Sequence, residues 1–215
     1  MNDELRSYYR SEWKQLASVR DRHEALSQPL LLKALPGFSE ATVKLLVVGQ
    51  QTHGWGTGSD TEGHPLDKLM QNYENFALGR SRMNTPFWQA AHQVHEAVNP
   101  SAPRTGFMWS NLVKVDQNKD RPSREVEEKV SSLNLLPAEV RIVDPDAVVF
   151  FTGPDYVSRL RDTFEGAQRE EVSEHLFQID HELLPSRSFQ TYHPKYLRLK
   201  GNWSIVDQVA NRIRE

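Results

Sequence analysis

Three short apolar runs and a fourth strand-like segment stand along the chain, separated by longer amphipathic or turn-rich stretches. The first run opens the stretch VKLLVVGQQTHGWGTG, Val43 to Gly58. It reads as a strand buried on both faces, as in a parallel sheet. The second is GFMWSNLVKV from Gly106 to Val115, the third AVVFFTG from Ala147 to Gly153, and the fourth Ser188 to Tyr192. Between them lie helical patterns. Leu5, Tyr9, Trp13 and Leu16 form one stripe in a helix over Asp3 to Leu26. Leu66, Leu69, Met70 and Tyr73 share a side of a short helix within His64 to Gly79. Thr85 and Pro86 supply an N-cap and a first helical residue for a helix to about Val98. Pro122 to Val143 reads as one long helix with a break at Pro137 as an option, Pro154 to Phe164 as another helix, and Asn202 to Ile213 as the closing one. Glu171 to Asp180 reads as an extra strand or a hairpin arm.

Alternation of strand and helix predicts an α/β fold: three layers, α/β/α, around a central, mainly parallel four-stranded sheet. No repeat, low-complexity tract or linker interrupts residues 1–215, so a single domain is expected. In open α/β sheets, ligands bind at the carboxyl ends of the strands. The polar groups at those ends are Gln50, Gln51, Thr52 and His53 after the first run, Asn111 near the end of the second, and His193 after the fourth. Gly54, Gly56 and Gly58 would let backbone N–H groups approach a ligand, although a plain crossover loop would also accommodate them. An Asn inside an apolar strand is costly to bury unless hydrogen-bonded, so Asn111 either meets a ligand or ties down a neighbouring loop.

Composition narrows the chemistry. The chain has 38% hydrophobic and 26% charged residues, which is the profile of a globular protein. There are no cysteines, which excludes disulfides, thiol catalysis and cysteine-held zinc or iron–sulfur clusters and fits a reducing, cytoplasmic setting. The N-terminal MNDELRSYYRSEW is not a secretory signal, and no apolar run approaches the ~20 residues that span a bilayer. The net charge of -3 leaves nucleic-acid binding to a local patch. Pro185 to Glu215 offers one, with six Lys or Arg (Arg187, Lys195, Arg198, Lys200, Arg212, Arg214) against Asp207 and Glu215. His92, His95 and Glu96 sit at helical spacing, but no second ligand cluster accompanies them. They are read as a surface face of the Phe87 helix, and no metal or cofactor is expected.

The order of these motifs resembles the uracil-DNA glycosylase superfamily. Gly49-Gln50-Gln51-Thr52-His53 stands where that family has its Gly-Gln-Asp-Pro-Tyr or Gly-x-Asn-Pro-Gly turn. FMWSNLVKV supplies the base-reading Asn111, and AVVFFTG matches the run before Trp-Gly. Pro86-Phe87-Trp88 matches the Phe-Trp helix start, and His193-Pro194-Lys195-Tyr196-Leu197 followed by Lys200-Gly201 matches the last motif. The resemblance spans Lys44 to Gly201. It implies a monofunctional DNA glycosylase that flips a base out of the stack and hydrolyses its N-glycosidic bond, with His193 and Gln51 as catalytic residues. Gln50, His53 and Asn111 would contact the base, and Lys195, Tyr196, Leu197, Arg198 and Lys200 the DNA, with Leu197 at the wedge position. Tyr73, Phe76 and Phe87 are the candidates for stacking on the base. DNA is the implied partner, without membrane contact, for a protein acting as a monomer.

Departures from the family bear on the substrate. Gln51 replaces the catalytic Asp or Asn, and an amide orients water but takes no proton near neutral pH. Asp60 and Glu62 are the acids nearest in sequence. His53 replaces the Tyr that excludes 5-methyl pyrimidines, so a bulkier 5-substituted pyrimidine is expected, in base-excision repair or in defence against phage with hypermodified cytosine. A non-catalytic DNA or abasic-site binder and a nucleoside or nucleotide hydrolase remain the alternatives.

Overall fold

The computed structural model describes residues 1–56 and 66–215. Gly58, Asp60, Glu62 and His64 therefore lie outside the described residues. Six strands form one sheet: β1 (Leu45–Gln51), β2 (Phe107–Val113), β3 (Ala147–Phe151), β4 (Gln168–Ser173), β5 (Leu176–Asp180) and β6 (Arg187–Thr191). Their order is β2-β1-β3-β6-β5-β4. The first four run parallel to one another, and β5 and β4 are added antiparallel. The expected four-stranded sheet is thus the parallel part of a larger mixed one, and the Glu171 to Asp180 stretch belongs to the added hairpin. Charge hid β4: its QREEVS sequence has no fully buried residue. Charged side chains on an edge strand also protect it from pairing with another chain.

β2 and β3 are buried throughout, and apolar except for Ser110 and Asn111 of β2, as a sheet covered on both faces requires. The helices are α1 (Asn2–Arg22), α2 (Leu66–Phe76), α3 (Pro86–Val98), α4 (Arg124–Ser131), α5 (Leu135–Val143), α6 (Val157–Thr163), α7 (Pro194–Leu199) and α8 (Ser204–Arg214). The predicted long helix breaks at residues 132–134, where Asn134 takes φ 49°, and not at Pro137. Pro137 is the third residue of α5, where its missing N–H has no helical partner to lose. Thr85 stands at the N-cap of α3, but its hydroxyl donates to Arg82 O at 2.9 Å and does not cap the helix.

Alternation along β2 divides the helices between the faces. Trp109 packs on Trp88 of α3, with ring centroids 5.0 Å apart, and α3 packs on α7 and α8. Ser110 points the other way and donates to Glu139 of α5 at 2.8 Å, and Tyr9 of α1 donates to the same carboxylate at 2.8 Å. The connection leaving β1 therefore covers one face and that leaving β2 covers the other. The two part above β1, where crevices form in such sheets.

The Ser110 face also buries an ion pair. Lys114 and Glu139 are 2% and 0% exposed, and Lys114 Nζ donates to both Glu139 and Ser110. Burial lowers the lysine's pKa, and the adjacent carboxylate opposes that shift. Among the described residues, no helix is long and apolar enough to cross a membrane. Removing one partner of a buried ion pair strands the other charge. Glu139→Leu is therefore expected to lower the unfolding free energy in urea by about 3–5 kcal/mol. Adding Lys114→Met should restore most of it.

Candidate functional site

The carboxyl ends of β1 and β2 open into a cavity of about 930 Å³, which the turn after β6 also lines. Gln50, Gln51 and His53 reach it from the end of β1, Asn111 from β2, and His193 from that turn. The five predicted catalytic and base-contacting residues thus share one space. β1 runs two residues past Gly49, so Gln50 and Gln51 are its last residues rather than part of the turn.

Gly49 makes room for the centre of the site. It pairs in register with Asn111, and a Cβ at Gly49 would overlap Asn111 Oδ1 and sit 3.2 Å from Phe87. Asn111 is 1% exposed. Its Oδ1 accepts from Trp109 Nε1 at 3.2 Å, while its Nδ2 has no partner among the described residues. Trp55, Phe76, Trp88 and Trp109 form a closed ring of edge and tilted contacts, with centroids 5.0 to 5.5 Å apart, and all four line the cavity. Of the candidate stacking rings, Phe76 and Phe87 line the cavity. Tyr73 does not: it is 1% exposed, with its hydroxyl donating to Trp109 O at 3.0 Å.

His193 is held as a neutral donor. Its Nδ1 accepts from Lys195 N–H at 3.2 Å, capping α7, so the proton of the neutral ring sits on Nε2. The ring stacks on Phe87 at 5.9 Å and 20°. Burial, assisted by the Lys195 charge, pushes its pKa down to about 4. The other polar groups are also pinned. Tyr156 donates to Gln51 Oε1, leaving that oxygen one lone pair. Gln50 Nε2 donates to Thr152 O at 2.8 Å. His53 Nδ1 donates to Lys119 O at 2.6 Å, which turns this ring toward the loop after β2. Asp116, buried at 1%, accepts from Gly54 N–H and Lys119 N–H, each at 2.8 Å, and so ties the glycine turn to that same loop. Tyr156 and Asp116 escaped notice in the sequence, because each sits in a loop with no pattern of its own.

The described lining contains no Asp or Glu, and its cations are Arg80, Arg82 and Lys195. The basic C-terminal segment contributes less than its composition promised. Arg187 is used on Ile213 O, Arg212 on Glu215, Arg214 on Asn211, and Arg198 on Gln89 and the face of Trp203. Arg80 and Arg82 were legible only as two cations in residues 75–95, a span without an acid.

Leu197 requires correction as a DNA wedge: it is 0% exposed and belongs to the core. Residues after His193 form α7, and helical spacing turns Pro194 and Leu197 inward. Leu199, at 74%, and Tyr196, at 37%, are the apolar residues exposed there, with Lys195, Arg198 and Lys200 also at the surface. Nor do His92 and His95 form a surface face. They are 5% and 0% exposed, they pack on Phe107, and their Nε2–H groups donate to Leu78 O and Pro103 O. Burial lowers both pKa values. Among the described residues, no cluster of three His, Asp or Glu is placed to hold a metal.

Compared with models of protein families and with curated proteins, the chain matches none.

Two outcomes test this geometry. As pH falls below 6.5, the ordinary histidine value, the unfolded chain takes up a proton at His193 that the folded chain refuses until about pH 4. Stability should therefore drop as pH falls through that window. Urea unfolding at pH 7 and pH 4.5 should show a larger loss for the wild type than for His193→Gln. Gly49→Ala should push Asn111 and Phe87 apart and cost about 1–3 kcal/mol of stability in the same assay, with a changed near-ultraviolet signal from Trp109.

Proposed function

We propose that the protein is a DNA glycosylase with the three-layer α/β/α arrangement of the uracil-DNA glycosylase superfamily, excising an aberrant or modified pyrimidine from DNA. One observation carries the reading: a neutral His193 donor, Asn111 and Gln51 converge on one aromatic-walled cavity at the strand ends. Breaking the base–sugar bond leaves positive charge on the sugar and negative charge on the base. A preorganised donor aimed at the base stabilises that anion, and His193 Nε2–H, fixed by its bond to Lys195 N–H, is that donor. Water adds to the anomeric carbon as the base–sugar bond breaks; that bond's electron pair leaves on the base, and the proton the water loses passes through solvent to the base anion. The free lone pair of Gln51 Oε1 orients the water. Gln51 takes no proton, and no carboxylate lies in the described lining, so most of the acceleration falls to leaving-group stabilisation.

Extruding a base from the stack takes a few kcal/mol. The exposed Leu199 and Tyr196 on α7 would fill the gap it leaves, with Lys195, Arg198 and Lys200 beside the phosphates. Phe87, stacked on His193 and touching the space above Gly49, is the ring for the flipped base. A cavity near 930 Å³ stands at the top of the ~300–1,000 Å³ range of small-molecule sites, far more than a bare pyrimidine fills. That supports a 5-substituted base, as removed in repair or in defence against phage DNA. A second reading, binding to DNA or abasic sites without cleavage, draws on the missing carboxylate.

The test is a panel of oligonucleotides carrying uracil, mismatched thymine and 5-hydroxymethyl or 5-glucosylated pyrimidines, incubated with stoichiometric protein and then cleaved at abasic sites with alkali. Cleavage of a bulky base ahead of uracil is expected, and His193→Ala should slow it about 10²–10³-fold with an unchanged circular dichroism spectrum. Salt-dependent binding with no product on any substrate would select the second reading.

A further inference from the structure

A carboxylate that orients water offers two equivalent oxygens and a full charge. An amide offers one oxygen, which must point the right way. Gln51 is the last residue of β1, and its long side chain has rotamer freedom to lose before it can hold anything. The restraint comes from the loop after β3, the strand beside β1. Tyr156 of that loop is 4% exposed and does not line the cavity, whereas Gln51 does. The Tyr156 hydroxyl donates to Gln51 Oε1 and has no other hydrogen-bond partner among the described residues. An amide turned the other way would leave the hydroxyl hydrogen without that acceptor. The oxygen keeps its second lone pair after this bond.

Tyr156 is itself held. The Arg121 guanidinium lies 4.3 Å from the centre of its ring, a cation over an aromatic face. Arg121 also donates to Asp155 O at 3.0 Å and pairs with both oxygens of Glu127, with Nη2 to Oε2 at 3.0 Å. Glu127 of α4 is 4% exposed and receives Arg159 of α6 at 3.1 Å as well. Thus a buried carboxylate sets the guanidinium, the guanidinium sets the tyrosine, and the tyrosine sets the amide. Burial pushes the Tyr156 pKa up, with the Arg121 charge opposing, so the hydroxyl keeps its proton at neutral pH. None of Glu127, Arg121 and Arg159 lines the cavity.

We propose that Tyr156, anchored by the Arg121–Glu127 pair, is a positioning residue that holds Gln51 Oε1 with its remaining lone pair toward the water. It acts on the reaction only through Gln51. The proposal rests on the glycosylase reading and adds to it the group that makes a neutral amide serviceable at that position. A tyrosine that merely filled its loop would matter equally with or without Gln51, and that difference is measurable.

Single-turnover cleavage is followed on the oligonucleotide that the wild type cleaves fastest. Kd is measured on the same sequence carrying a 2′-fluoro nucleotide that resists cleavage. Tyr156→Phe keeps the ring beneath Arg121 and removes the hydroxyl. It should slow cleavage by about tenfold, the scale of one hydrogen bond, with Kd changed by less than about twofold. In the Gln51→Ala background the same substitution should change the rate by less than about twofold, because the group it positions is gone. Arg121→Met leaves hydroxyl and amide in place and loosens the ring. It should slow cleavage by at least about threefold at unchanged Kd, and again only when Gln51 is present, which keeps the test sound if the Phe variant folds poorly. A full rate in either variant, or a loss equally large without Gln51, would overturn the proposal and leave the glycosylase reading standing. No cleavage of any substrate by the wild type would remove that reading and the proposal together.

Discussion

The buried ion pair between Lys114 and Glu139 joins β2 to the two helices beneath it. Glu139 of α5 receives Lys114, Ser110 of β2 and Tyr9 of α1, and the Tyr9 hydroxyl in turn accepts Leu32 N–H at 3.0 Å. Three chain segments thus meet at one carboxylate, and a fourth joins them through the Tyr9 hydroxyl. A charge that deep is tolerable only when every partner is in place, so the network holds β2 at one distance from α5 and α1. β2 is also the strand that carries Trp109 and Asn111 on its opposite face. The rigidity of the site and the satisfaction of the buried charge are two consequences of the same strand placement.

Above the sheet, a second constraint operates through groups whose hydrogen-bonding role has one polarity. Trp109 N–H can only donate, Thr152 and Lys119 carbonyls can only accept, and Lys195 N–H can only donate. These partners orient Asn111, Gln50, His53 and His193 respectively. The site is therefore preorganised by its surroundings, as electrostatic catalysis and selective recognition both require. Asp116 serves the same purpose by holding the glycine turn.

Much of this was legible in the order of residues. The parallel strands β1, β2 and β3 stand out because a strand covered on both faces is mostly apolar along its length, β6 follows from the alternation of strand and helix, and Gly49, Asn111 and His193 stand out because they interrupt or end these strands. Helix α3 announced itself through Pro86 and its spacing. The β4–β5 hairpin was legible only as an extra strand or hairpin arm over Glu171 to Asp180, because an edge strand is exposed and its residues need follow no hydrophobic pattern.

Sequence by itself determined the α/β class, the parallel strands and the side of the sheet where the polar groups collect. These follow from periodicity, which is local. Tertiary structure decided what those groups can do. Leu197 went into the core and Leu199 to the surface because residues 194–199 coil into a helix too short to show a stripe. His92 and His95 were buried because Phe107 lies against them. The basic tail was turned onto its own carbonyls and carboxylates, while Arg80 and Arg82 came to the cavity from far along the chain. The orientation of the Asn111 amide depends on one indole N–H two residues away on the same strand. Spacing put those two side chains on one face, but only the packing of Tyr73, Trp88 and Phe76 around the indole set the direction of its hydrogen bond.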